Sequence, residues 1–211
     1  MERRFMDMTV PSLIPAVRRS DARGWFAETY SEAAFDRLGI SCRFVQDNHS
    51  FSRAAYTLRG LHFQAPPHAQ AKLVRCIRGR IFDVAVDIRT GSPSYGQWLG
   101  AELSARNGHQ LFVPAGFAHG FLTLEEDCEI TYKVSDIYAP DCEGGIGWDD
   151  PAIAIDWPMP AGIMPYLSPR DAFLPPLSEI ATPFFFDGGA PLAQNGVVHG
   201  PRQGSGPCVS L

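Results

Sequence analysis

Ile81-Phe82-Asp83-Val84-Ala85-Val86-Asp87-Ile88 decides what kind of fold this chain makes. Successive side chains of an extended strand point to opposite faces. Phe82, Val84, Val86 and Ile88 therefore share one face, and Asp83, Ala85 and Asp87 the other. The repeat is two residues and not 3.6, which makes the stretch a strand and not a helix. Just before it, Gly79-Arg80 reads as a tight turn out of another apolar run, Lys72–Arg78, and the two runs are expected to form a hairpin. Further strands are expected at 97–103, 110–113, 119–124 and 129–134. Many short strands at this spacing make a sandwich or a barrel, so the fold is mainly β.

Outside this region the signals change. Ser31 is a good N-cap for a short helix over 32–38, which Gly39 ends. From Pro140 the chain is rich in Pro, Gly and Asp, and loops with a short helical turn are expected there, packed by Trp148, Trp157 and Tyr166. One domain is expected over 1–182. Residues 183–211 are dominated by Gly, Pro, Ser and Gln, so beyond Phe184-Phe185-Phe186 little could form a core and a tail that is flexible or only loosely docked is expected.

Composition excludes several classes. The chain has 211 residues and a formal net charge of −5, which argues against non-specific nucleic-acid binding. No apolar run is long enough to span a membrane, and the first residues lack the apolar stretch of a signal peptide. The five cysteines, Cys42, Cys76, Cys128, Cys142 and Cys208, are odd in number and contain no C-x-x-C pair. That pattern fits a reduced, cytoplasmic protein better than a disulfide scaffold or a zinc site.

The chemistry concentrates in Leu58-Arg59-Gly60-Leu61-His62-Phe63-Gln64 and Ala71-Lys72-Leu73. A histidine and a lysine on apolar strands that face one interior suit proton abstraction beside a carbonyl. The imidazole takes the proton, and the ammonium stabilises the oxyanion that forms.

Gly108 to His119 has the spacing G-x5-P-x-G-x2-H, with Pro114 and Gly116 at a turn. It resembles the second conserved motif of the cupin superfamily, which implies a double-sheet jelly roll. In metal-binding cupins that histidine is a ligand, alongside an H-x-H and a glutamate. Here the matching place reads His62-Phe63-Gln64, and no Glu follows before Lys72. No metal and no cofactor are expected.

A narrower resemblance rests on Gln46-Asp47-Asn48-His49-Ser50, Leu58 to Gln64, Gln70 to Arg75, Phe82 to Arg89, Phe112 to Phe121 and Tyr132-Lys133. Arg23-Gly24-Trp25-Phe26-Ala27-Glu28 and Leu167-Ser168-Pro169-Arg170-Asp171 extend it. In order, from about Ile14 to about Leu177, these segments resemble the dTDP-4-dehydrorhamnose 3,5-epimerase family. The resemblance implies an isomerase that inverts C3 and C5 of a nucleotide-linked 4-keto-6-deoxyglucose, in supply of rhamnose-type sugars. It implies His62 as general base, Asp171 as its orienting partner, Lys72 as enolate stabiliser and Tyr132 as the acid on the opposite face. It implies Arg23 and Arg59 on the diphosphate, with Phe26 and Tyr138 stacking, Glu28, Gln46 and Asn48 reaching base or ribose, and His119 touching ligand or orienting pocket groups. In the family the N-terminal segment completes the partner's site, which implies a homodimer with Arg23, Phe26 and Glu28 acting in trans. An epimerase of C3 or C5 alone, one acting on a GDP-linked or other sugar, and a non-catalytic sugar-binding cupin are the alternatives.

Overall fold

The computed structural model describes residues 8–193 and 196–200. The chain runs through β1 (Ser12–Ile14), β2 (Arg19–Asp21), β3 (Gly24–Phe26), α1 (Glu32–Asp36), β4 (Gln46–Ser52), β5 (Leu58–Gln64), β6 (Lys72–Arg78), β7 (Arg80–Asp87), β8 (Trp98–Ser104), β9 (Gln110–Val113), β10 (Phe117–Thr123), β11 (Cys128–Val134), β12 (Glu143–Gly145) and β13 (Gly196–Val198). Two sheets carry the fold, in the orders β1-β9-β6-β11-β4 and β12-β5-β10-β7-β8-β13, and β2 with β3 forms a separate hairpin. This is the mainly β double sheet that the strand spacing implies.

The expected hairpin between 72–78 and the following run does not form. β6 pairs with β9 and β11, whereas β7 pairs with β8 and β10 in the other sheet. Gly79, at φ +76°, turns the chain from one sheet into the other. Tight turns look alike in sequence whether they join partners within a sheet or cross between sheets.

The alternation in β7 has a different use from the usual core-and-water division. Ile81 and Ala85 pack between the two sheets with Val74, Leu111 and Ile130. Phe82, Val84, Val86 and Ile88 pack on the far side, under Ile146, Ile153, Trp157 and Leu177 from the loop-rich segment after β12. The six-stranded sheet is thus covered on both faces. Burial of each such side chain stabilises by about 1.5–3 kcal/mol. Trp148 and Trp157 pack there as expected, but the Tyr166 side chain is exposed. Tyr166 contributes through its backbone instead, bonding Tyr56 and Leu58.

Helix α1 ends at Asp36, two residues short of the expected span. Ser31 caps it, its side chain accepting from Ala34 N, and Phe35 is the side chain it buries. Phe35 joins Ile40, Leu73 and Phe112 over the outer face of the five-stranded sheet.

The expected tail divides. Phe184 packs edge-on against Phe63, Leu192 is 6% exposed in the inter-sheet core, and β13 lies parallel to β8. The described part of the tail is therefore docked, because Leu192 and Val198 find apolar partners that a composition count overlooks. Residues 201–211 of that expectation, with Cys208, lie outside the described residues. Cys42, Cys76, Cys128 and Cys142 are free. Among the described residues no helix is long and apolar enough to cross a membrane.

Candidate active site

Strand parity gathers the predicted side chains. Lys72 continues the face of Val74 and Cys76, and Tyr132 that of Ile130 and Val134, all of them between the sheets. Towards one end of the sandwich this interior opens. Gln46, Asn48, His62, Lys72, Tyr132 and Tyr138 line one cavity of about 310 Å³, together with Phe63, Gln64, Gln70 and Glu143.

His62 and Asp171 meet from opposite ends of the chain. His62 is on β5, and Asp171 opens a short 3-10 turn, Asp171–Phe173, that packs on that strand. The imidazole Nε2 lies 2.6 Å from Asp171 Oδ1. Burial works to raise the Asp171 carboxyl. The bonds from His62, from the Gly60 backbone N–H and from Ser168 outweigh it and hold the carboxyl below its ordinary value. A carboxylate so held fixes one ring nitrogen as donor and leaves the other free as base.

The strand beneath His62 is irregular for a reason that can be read in its glycines. β5 and β10 pair at His119–His62 and again at Phe121–Arg59, so β5 carries an extra residue between them. A Cβ on Gly120 would lie 2.7 Å from the Arg59 carbonyl oxygen, and one on Gly60 2.6 Å from Gly120 Cα. Only glycines permit this approach. The bulge leaves His62 in the cavity while Arg59 reaches across to Ser52 Oγ (3.2 Å) and the Phe51 carbonyl (3.1 Å) at the end of β4.

Lys72 Nζ donates to the His62 carbonyl at 3.3 Å. Burial pushes its ammonium down to about 8, against the pull of the Asp83 and Glu143 carboxylates. Tyr132 is raised, chiefly by burial, with Arg59 opposing and Glu143 adding to it, so the phenol keeps its proton at neutral pH. His119 is buried and bonds Asp83 Oδ1 at 2.8 Å, next to His62 in the ladder. Tyr138 is anchored twice: its N–H donates to Gln46 Oε1 (3.1 Å) and its hydroxyl to Glu143 Oε2 (2.9 Å). Gln46 Nε2 in turn donates to Asn48 Oδ1 at 2.9 Å.

Of the expected substrate-binding residues, Arg59 and His119 bond behind or beside this cavity without lining it, and Arg23, Phe26 and Glu28 lie away from it within one chain. Arg23 lies on the β2–β3 hairpin and pairs with Asp21 at 2.6 Å. Phe26 and Glu28 border a separate hollow with Trp25, Arg75 and Leu38. Trp25 is 52% and Phe26 69% exposed.

The structure also adds residues that sequence reasoning passed over. Glu143 lines the cavity, and Arg170 Nη1 pairs with its Oε2 at 2.5 Å. Arg170 stands beside Asp171 in a quoted motif and could have been found there, but Glu143 sits in loop sequence with no signal. Asp83 belongs to the strand that decides the fold, where it reads only as part of an alternation. Among the described residues no group of three or more His, Cys, Asp or Glu side chains is placed to hold a metal ion.

A base with an orienting carboxylate, a cation and a protonated phenol in one cavity can abstract a proton, hold an oxyanion and return a proton from a second direction. Comparisons with known proteins agree with that chemistry. Residues 10–179 match the family profile described as dTDP-4-dehydrorhamnose 3,5-epimerase. The chain is 51% identical over 172 residues to the dTDP-4-dehydrorhamnose 3,5-epimerase of Sinorhizobium fredii, covering 82% of this chain and 87% of that one. Among solved structures it resembles the dTDP-6-deoxy-D-glucose-3,5-epimerase of Legionella pneumophila in complex with dTDP-4-keto-L-rhamnose. That match has a TM-score of 0.78 and 41% identity, over 86% of this chain and 97% of that one. It also resembles the dTDP-4-dehydrorhamnose 3,5-epimerase of Bacillus anthracis with TDP and pyrophosphate bound, with a TM-score of 0.76 and 44% identity, over 83% of this chain and 97% of that one.

Proposed function

The chain belongs to the dTDP-4-dehydrorhamnose 3,5-epimerase family, and from that membership we infer that it inverts C3 and C5 of dTDP-4-keto-6-deoxyglucose in dTDP-rhamnose synthesis. The single observation that carries the reading is the His62–Asp171 pair at 2.6 Å on the wall of the cavity that Lys72 and Tyr132 share.

In the proposed mechanism the 4-ketone acidifies the hydrogens at C3 and C5. His62, oriented by Asp171, removes one. The Lys72 ammonium holds the enolate oxygen at C4, and Tyr132 delivers a proton to the other face. Two groups on opposite faces are what inversion needs, since a single residue returns the proton to the face it left. A ring flip brings the second carbon before the same groups. Arg59 grips the diphosphate, and Tyr138, held by Glu143 and Gln46, stacks on the base. His119 orients pocket groups from behind. Solvent deuterium exchange into the substrate, read by NMR at C3 and C5, tests this reading. Incorporation at neither carbon would overturn it, and incorporation at one alone would reduce the enzyme to a single-centre epimerase.

The rate should fall as pH rises through about 8, the value to which burial brings Lys72. The ammonium is the working form, so its contribution is intact below that pH and lost above it. A rate that stays flat up to the ordinary lysine value of 10.5 would show that the cation is not needed.

The dimer is also part of the proposal. The β2–β3 hairpin is exposed along its length and carries Arg23, Trp25 and Phe26 away from its own cavity. Crossing to a partner, it would put Arg23 on the diphosphate and Phe26 and Glu28 near the base. Arg23→Ala and His62→Ala should each be nearly inactive alone. Mixed after subunit exchange, they should regain activity, because one of the two sites in a mixed dimer then has both residues. No recovery from a mixture shown to exchange would place the hairpin in cis. The cytoplasm is the proposed location, supported by the four free cysteines.

A further inference from the structure

A second histidine–carboxylate pair is buried beside the first. Asp83 is 0% exposed and accepts from His119 Nε2 at 2.8 Å. Both side chains lie on the faces between the sheets, Asp83 in line with Ile81 and Ala85, and His119 in line with Phe117 and Phe121. A carboxylate in such surroundings is costly unless a charge or several donors compensate it. His119 compensates it poorly, because burial holds the imidazole below its ordinary value and favours the neutral ring. The second oxygen, Asp83 Oδ2, has no hydrogen-bond partner among the described residues.

Lys72 reaches this pair through its neighbours: its Nζ donates to the His62 carbonyl, and His62 stands opposite His119 in the β5–β10 ladder. The titratable groups around it are His62 from β5, Asp83 from β7, His119 from β10, Tyr132 from β11 and Glu143 from β12, while β4 presents only the neutral Gln46 and Asn48. Its two carboxylates are not equivalent. Glu143 already holds Arg170 and the Tyr138 hydroxyl. Asp83 holds no cation.

We propose that Asp83 is a positioning residue for the epimerisation: its carboxylate is the set-back counter-charge that keeps the half-buried Lys72 ammonium protonated, and His119 holds that carboxylate in place. Distance is part of the design. A direct ion pair would occupy the N–H groups of Lys72, which now spends one on the His62 carbonyl and keeps the others for the enolate oxygen. A carboxylate one layer back still favours the cation through a low-dielectric interior. The inference rests on the epimerase reading, since only a developing oxyanion requires this ammonium.

Composition makes the test clean, because Lys72 and Lys133 are the only two lysines in the chain. Full-length protein labelled with 13C,15N-lysine gives two side-chain signals, assigned through Lys133→Arg. Titration of the wild type and of Asp83→Asn, without substrate, should show Lys72 moving to lower pH by about one unit or more, with Lys133 unmoved. The alkaline limb of kcat should move with it. Asn keeps an oxygen for the His119 N–H, so the pair's shape survives. An Asp83 that only packs would lower Tm and leave the Lys72 titration in place, and that result overturns the proposal. If Asp83→Asn does not fold, Lys72→Met labelled with 13C-aspartate reads the same coupling in reverse, since linkage is reciprocal. The Asp83 carboxyl should then titrate at higher pH than in the wild type, and no change overturns the proposal equally. Neither titration uses substrate. A wild type that fails to exchange deuterium therefore counts against the reaction, and a stationary Lys72 against Asp83.

Discussion

Replacing His62 with alanine should stop epimerisation while dTDP still binds. In the proposed mechanism the imidazole acts on the sugar, whereas the diphosphate is assigned to Arg59 and to the hairpin arginine of a partner. Loss of a general base alone is worth about 10²–10⁴-fold, and among the described residues the one other carboxylate that lines the cavity, Glu143, is held by Arg170 and Tyr138. Calorimetric titration with dTDP beside a turnover assay separates the two effects. If the folded variant loses nucleotide affinity as steeply as it loses turnover, His62 chiefly holds ligand, and the base must be sought elsewhere.

Tyr132→Phe should uncouple proton removal from inversion. The substitution deletes one hydroxyl and keeps the ring, so the packing of β11 on β4 and β6 should survive. His62 and Lys72 would still form the enolate. Its protonation from the far face would slow, by about 10²-fold or more if the phenol is the acid. Deuterium should then enter C3 or C5 faster than inverted product appears, with a partly inverted sugar accumulating. Full double inversion at the wild-type rate would make Tyr132 a wall residue and leave the proton to water or to His119.

Much of this was legible because strand parity is a local rule. The two-residue repeat in Ile81 to Ile88 names a strand, and Lys72-Val74-Cys76 and Ile130-Tyr132-Val134 place a lysine and a tyrosine on core faces. What parity does not carry is pairing. The turn at Gly79 looks like a hairpin and instead changes sheets, since the choice depends on which strands arrive later to compete. The His62–Asp171 contact joins residues 109 apart, and no periodicity links them; resemblance to a family supplied that pair. Glu143 had neither aid. Its role in the cavity comes from the antiparallel pairing of β12 with β5, where it stands opposite Gln64. Composition does not say where the tail docks for a related reason, because one buried leucine can anchor a segment that averages as polar.

That anchored segment has a consequence for how the protein behaves among its own copies. Without β13, β8 would end the six-stranded sheet on one side, and beyond the region matched by the family profile this chain lays Gly196, Val197 and Val198 alongside Leu99, Gly100 and Ala101. A sheet margin with bare N–H and C=O groups is a template for any extended chain that meets it. Here that margin is already occupied by a short strand. The extension thus acts as a guard against self-templated assembly, and trimming the protein to the length of its family profile would trade a tidy boundary for an adhesive one.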